Sequence, residues 1–144
     1  MFDNIHKEMY RKNNFLNAAL KIFETKDYNA GRINCLVGYE FNIECYKKYL
    51  GKYSNVQMEV GIEGTQIDVL ADDIAIEAKC RNMVDESVVR QLIKYKQVYN
   101  DVRLFLPADT KVRSRSEIEK YAKIERSELT RQEIINRVLM MFKG

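Results

Sequence analysis

One histidine, His6, is all the imidazole this sequence has. It cannot build a histidine-rich zinc site, and its place on a charged N-terminal segment predicts simple exposure. Three cysteines, Cys35, Cys45 and Cys80, form an odd set without CxxC spacing. They argue against a disulfide framework, suit a reducing, cytoplasmic compartment, and are too few for an iron–sulfur cluster. No apolar run approaches the ~20 residues of a membrane span, so no membrane partner is expected. The N-terminus carries charges throughout and lacks the apolar stretch of a signal peptide. There is no Gly-rich phosphate loop of the Walker type, hence no sign of an ATPase. With a single proline, Pro107, and six glycines, the chain shows no repeat, low-complexity tract or linker. One domain spanning 1–144 is expected, long enough to bury a core without staples.

What is present is an ordinary soluble composition, 46% hydrophobic and 31% charged, with a net charge of +3. That charge permits nucleic-acid binding without demanding it. Helical spacing of Met9, Leu16, Ala19, Leu20 and Phe23 predicts a helix over about 2–26, broken at 27–31. A second helix is expected over 32–49, with Gly51 closing it in a left-handed conformation. The period then changes to two. Residues 56–62, 66–70 and 74–80 read as strands of an antiparallel meander, with turns at Glu63-Gly64 and Asp72-Asp73. Asp85 is the expected N-cap of a helix running to Asn100. Residues 102–106 read as a fourth strand, 116–124 as helical, and Thr130 with Glu133 as a capping box opening a last helix to Phe142. A strand following a crossover helix can return parallel to an earlier one, giving a mixed α/β sandwich with helices on both faces.

Alternation puts Glu77 and Lys79 on one face of their strand and Ile76, Ala78 and Cys80 on the other, core-facing one. Asp68, on the preceding strand, would lie next to Glu77 across the short turn. Two carboxylates that close repel unless a proton or cation lies between them. A hard divalent ion such as Mg²⁺ suits such oxygen ligands and also takes phosphate oxygens. Glu-x-Lys alone would be an ordinary surface ion pair; the Asp one hairpin earlier gives it meaning.

The run Glu63-Gly-Thr-Gln-Ile-Asp68-Val-Leu-Ala71, followed by Ile74-Ala-Ile-Glu77-Ala-Lys79, resembles the core signature of the PD-(D/E)XK nuclease superfamily. Its Gly-x-x-Ile-Asp-Val part is similar to archaeal Holliday-junction resolvases and related phage or restriction-type enzymes. The resemblance covers about 32–107, with helical extensions at 1–26 and 116–143 outside it. It implies a restriction-endonuclease-like core of helix, three-stranded antiparallel meander, helix and strand. It further implies a DNA nuclease dependent on Mg²⁺ or Mn²⁺, cutting branched DNA like a resolvase or ends and single strands like RecB. Asp68 and Glu77 would be metal ligands with the backbone carbonyl of Ala78, and Lys79 the catalytic lysine. Ile67 stands where the name-giving proline would be. A glutamate on the preceding helix belongs to many relatives; Glu40 and Glu44 are the candidates, Glu40 preferred because it follows Gly38. Gln91 and Tyr95, four apart on one helical face, match the Gln-x-x-x-Tyr pattern of RecB-like members.

Glu59 on the first strand is a third acid at the expected edge of the site. Lys94, Lys111, Arg113 and Arg115 are candidate contacts to DNA backbone, and a solvated loop is the alternative for the last three. Cys80 reads as a small core residue, and Cys35 and Cys45 as packed. The apolar last helix needs a partner surface, either its own domain or a second protomer of a homodimer. A non-catalytic nucleic-acid-binding or assembly module of the same fold is the alternative function.

Overall fold

The computed structural model describes residues 4–12, 15–26 and 30–142. Over the expected N-terminal helix the described residues form α1 (Asn4–Lys12) and α2 (Phe15–Thr25), and the two positions between them lie outside the described residues. Most of the expected break at 27–31 lies outside the described residues. Helix α3 (Ala30–Leu50) follows. Its end corrects the expectation for Gly51. The amides of Lys52 and Tyr53 turn back onto the Tyr49 carbonyl, at 3.0 and 3.2 Å. Among the described residues Gly64 is the one glycine with positive φ.

Strands β1 (Val56–Ile62), β2 (Thr65–Ala71) and β3 (Ile74–Ala78) form the expected meander. Its first turn places Glu63 at φ 28° and Gly64 at φ 81°, the twist that a two-residue hairpin prefers. In the second turn Asp72 sits at φ 50°. Its carboxylate accepts the Asn55 amide at 2.9 Å, fixing the turn against the entry to β1. A short β4 (Met83–Val84) precedes a 3-10 turn at Glu86–Val88, capped by the Asp85 side chain as expected. Helix α4 (Val89–Lys96) continues from it and stops short of Asn100.

Strand β5 (Asp101–Leu106) returns parallel to β3. Then β6 (Lys111–Val112) pairs in parallel with β4. The predicted helix over 116–124 is shorter, α5 (Arg115–Glu119), and gives way to a strand the sequence reading missed, β7 (Lys123–Arg126). This edge strand is held from outside itself. It pairs with β5, and Arg103 of β5 reaches Glu125 at 2.6 Å. Helix α6 (Arg131–Met140) opens with the expected Thr130–Glu133 capping box.

The sheet order is β1-β2-β3-β5-β7, with two antiparallel and then two parallel pairings. Helices cover both faces. On one, Leu36, Phe41 and Tyr49 of α3, with Ile134 and Val138 of α6, bury Val69, Ile76 and Phe105; Phe41 and Phe105 stack at 5.0 Å. On the other, Leu92 and Tyr95 of α4, with Ile118, bury Ile67, Ala75, Leu104 and Leu106. Each such fully buried aliphatic or aromatic side chain contributes about 1.5–3 kcal/mol. The partner surface for α6 is thus its own domain, although Leu139 and Met140 stay exposed. Among the described residues no helix is long and apolar enough to cross a membrane.

Candidate cation and phosphate site

The register Val69↔Ile76 places Asp68 opposite Glu77 on the next step of the β2–β3 ladder. The ladder does not continue there. Asp68 Oδ2 accepts the Ala78 amide instead, at 2.9 Å, so a side chain takes the place of a strand carbonyl. Here β2 and β3 border a cavity of about 630 Å³ closed by the N-terminal half of α3 and the start of α6. Asp68, Glu77, Ala78 and Lys79 all line it. Four of the residues singled out from sequence are therefore brought together.

The two carboxylates are poorly solvated. Glu77 is 5% exposed, and its Oε2 is buried with no hydrogen-bond partner. Lys79 Nζ lies 3.8 Å from Glu77 Oε1, a loose ion pair. The Asp68 carboxyl is pushed well above the usual carboxylate range, first by burial and then by the charge of Glu77; the Ala78 amide and Lys79 oppose this only in part. Burial plus a like charge is the combination that holds a proton on an acid, or that a cation relieves. Glu59 of β1 adds a third acid nearby. It sits at φ 56° between the paired residues Met58 and Val60, and burial and Asp68 both raise its carboxyl.

These residues fit a hard divalent cation. The orphaned Glu77 oxygen beside the raised Asp68 carboxyl is an unfilled oxygen ligand set. Among the described residues no group of three or more His, Cys, Asp and Glu converges. A cation held by two carboxylates and a backbone carbonyl would draw its other ligands from water and substrate, the coordination Mg²⁺ favours.

The remaining candidates are distributed differently. Glu40 does not join the site. It is fully buried on another face of α3, where His6 Nε2 donates to Oε1 at 2.9 Å, Tyr10 donates to Oε2, and Arg137 lies at 3.7 Å. Glu44 pairs with Arg137 at 2.8 Å and also stays outside the cavity. The reason is helical phase: Asn34, Gly38 and Asn42, four apart, face the cavity, and Glu40 and Glu44 lie off that stripe. A Cβ on Gly38 would meet nothing within 4 Å, so the glycine leaves space and relieves no close contact.

His6 is likewise buried and not exposed. Lys47 Nζ lies 3.1 Å from its Nδ1; an ammonium only donates, so Nδ1 accepts and Nε2 carries the hydrogen given to Glu40.

Gln91 and Tyr95 stand behind the site. Gln91 Nε2 donates to Thr65 Oγ1 and Tyr95 Oη to the Gln66 carbonyl, both at 2.7 Å, which fastens α4 to the start of β2. The Tyr95 phenol is raised by burial and then by the charges of Glu77 and Asp68, which places it within their field. Lys94 is exposed on α4. Lys111 and Arg113 donate their amides to Asn82 and Val84, beside the cavity's rim. Arg115 belongs elsewhere. It pairs with Glu119 at 3.2 Å and lines a separate cavity of about 550 Å³ at the N-terminal ends of β5 and β7, the far end of the parallel strands. Cys35 is exposed rather than packed, Cys45 is buried, and half-buried Cys80 lines the cavity.

No family model, curated protein or solved structure matches this chain. Function therefore rests on the chemistry of the site itself. Sequence reasoning missed Asn34, Asn42, Asn82 and Arg131 as lining residues. Only the first two carried a signal, the i, i+4, i+8 spacing of two asparagines around Gly38.

Proposed function

We propose that this chain is a DNA nuclease that depends on Mg²⁺ or Mn²⁺ and hydrolyses phosphodiester bonds at the cavity between β2, β3 and α3. One observation carries the reading: Glu77 Oε2 is buried without a partner beside Asp68, whose carboxyl is held above its ordinary range. The mixed α/β order, with a meander, a crossover helix and a parallel return of β5, is compatible with the restriction-endonuclease-like core that this reading implies. Asp68 and Glu77, with the Ala78 carbonyl, would hold the cation. When bound, it supplies Lewis-acid polarisation of the phosphate and a more acidic water.

The protein's own groups do the rest. Lys79, with its side chain 28% exposed and its ammonium near Glu77, orients the attacking water and offsets charge developing on the phosphate. The Ala78 amide holds one oxygen of Asp68 in place. Gln91 and Tyr95 hold β2 in register behind them, a supporting role rather than contact with substrate. Lys111 and Arg113 would make nonspecific contact with DNA backbone. Resolvase-like cutting of branched DNA and RecB-like cutting of ends or single strands differ in substrate, not in this chemistry.

The test is incubation with linear, circular, single-stranded and four-way-junction DNA in Mg²⁺, Mn²⁺ or EDTA. Cleavage should require metal and fall about 10³-fold or more in Asp68→Ala and about 10²–10⁴-fold in Lys79→Ala. Absence of cleavage on every substrate, with wild type and variants binding DNA equally, would replace this reading by a non-catalytic binding module.

A further inference from the structure

Among the described residues two buried side-chain polar atoms lack a hydrogen-bond partner, Glu77 Oε2 and Arg131 Nε. Both residues line the same cavity. One is an anion without enough positive charge around it, the other a cation's donor with nothing to donate to. A buried orphan of either kind is unfavourable unless something arrives to satisfy it.

We propose that Arg131 is a phosphate-positioning residue, its guanidinium gripping a backbone phosphate of the DNA strand whose neighbouring phosphodiester meets Asp68 and Glu77. This rests on the nuclease reading above. Other arginines near the core are answered: Arg103 by Asp101 and Glu125, Arg137 by Glu44, and Arg126 by the Pro107 and Thr110 carbonyls. Arg131 has no carboxylate within salt-bridge distance among the described residues. Its one side-chain contact is a long one, NH1 to Asn82 Oδ1 at 3.4 Å, and the nearby Asp109 is engaged by the Arg131 backbone amide at 3.0 Å.

The lining charges agree. Among the described residues, the acids lining the cavity are Asp68 and Glu77, against three cations, Lys79, Arg81 and Arg131. A planar fork of donors suits a phosphate's oxygens better than a point charge does. The residue comes from α6, outside the core that carries the carboxylates, so the C-terminal helix completes the binding site.

The experiment uses the full chain with a fluorescent single-stranded oligonucleotide, bound in EDTA across a salt series, and steady-state cleavage in Mg²⁺. Arg131→Gln should flatten the slope of log affinity against log salt by about 0.7, the signature of one lost phosphate contact on a single strand. It should raise KM about tenfold while kcat stays within about threefold, the mark of lost uniform binding. Arg131→Lys should keep the slope but bind several-fold more weakly. An unchanged slope and KM in Arg131→Gln, or a lowered melting temperature with the slope intact, would overturn the proposal in favour of a structural role. Should Arg131→Gln fail to fold, equal affinity and KM in Arg131→Lys and wild type would overturn it as well. A wild type that binds with an Arg131-dependent slope but never cleaves keeps this contact and removes the nuclease reading; cleavage indifferent to Arg131 does the reverse.

Discussion

Glu40 and Glu77 are two buried glutamates of one small domain, and their surroundings are opposite. Glu40 is closed in by a histidine, a tyrosine and an arginine from α1 and α6, so both of its oxygens are answered. Glu77 faces a second carboxylate, keeps one oxygen bare, and has only a lysine at 3.8 Å. The first arrangement joins helices; the second does nothing for the fold that an apolar residue would not do better. A buried charge that is fully partnered is read as structure, and one left partly open is read as a place where a ligand belongs.

The largest effect should come from breaking the partnered side. Glu40→Ala leaves His6, Tyr10 and Arg137 without their shared acceptor and should cost about 3–5 kcal/mol in urea unfolding. Glu40→Gln should cleave DNA at the wild-type rate per folded molecule. Loss of cleavage in well-folded Glu40→Gln would return that residue to the active site and erase the contrast.

A smaller effect of opposite sign is expected on the open side. Asp68→Asn removes the like-charge conflict and should stabilise the metal-free protein by about 1–2 kcal/mol at pH 8. A destabilised Asp68→Asn would mean that the native state holds no such conflict.

The smallest effect concerns pH. Because the folded Asp68 carboxyl is raised above its unfolded value, its contribution to stability is full below the ordinary carboxylate range. That contribution is lost as pH climbs through the raised value. A divalent cation competes with the same proton. Mg²⁺ at ten times its Kd should therefore add about 1.4 kcal/mol at alkaline pH, and the same Mg²⁺ concentration should add progressively less as pH falls. An Mg²⁺ shift in melting temperature that is independent of pH would argue that the ion binds elsewhere.

How far the sequence foretold this molecule depended on how local each feature was. Strands β1 to β3 were legible because alternation and two short turns specify a hairpin from its own residues. With them came Asp68, Glu77 and Lys79, since register alone brings the first two together. Strand β7 was not legible: four residues with the single apolar Ile124 become a strand only by pairing with β5. The helix face was not legible either. Helix α3 is covered by α1, α2, α6 and the sheet, so apolar residues occur all round it and no periodicity says which side meets the cavity. Glu40 was chosen on that helix where Asn42 and Gly38 line the space. His6 was misjudged for a related reason, as its partner lies 34 residues away.

The hairpin has a consequence in time as well as in space. Asp68 and Glu77 are joined by one tight turn, the kind of contact that closes within microseconds. Helix α3 and Arg131 reach them only through contacts distant in the chain, which close later. While the hairpin stands alone, water screens its two carboxylates and their proximity costs little. The conflict is switched on by the last elements to dock, so the final compaction of this domain is itself a proton- and cation-linked step. Its refolding rate should be the quantity that feels magnesium first.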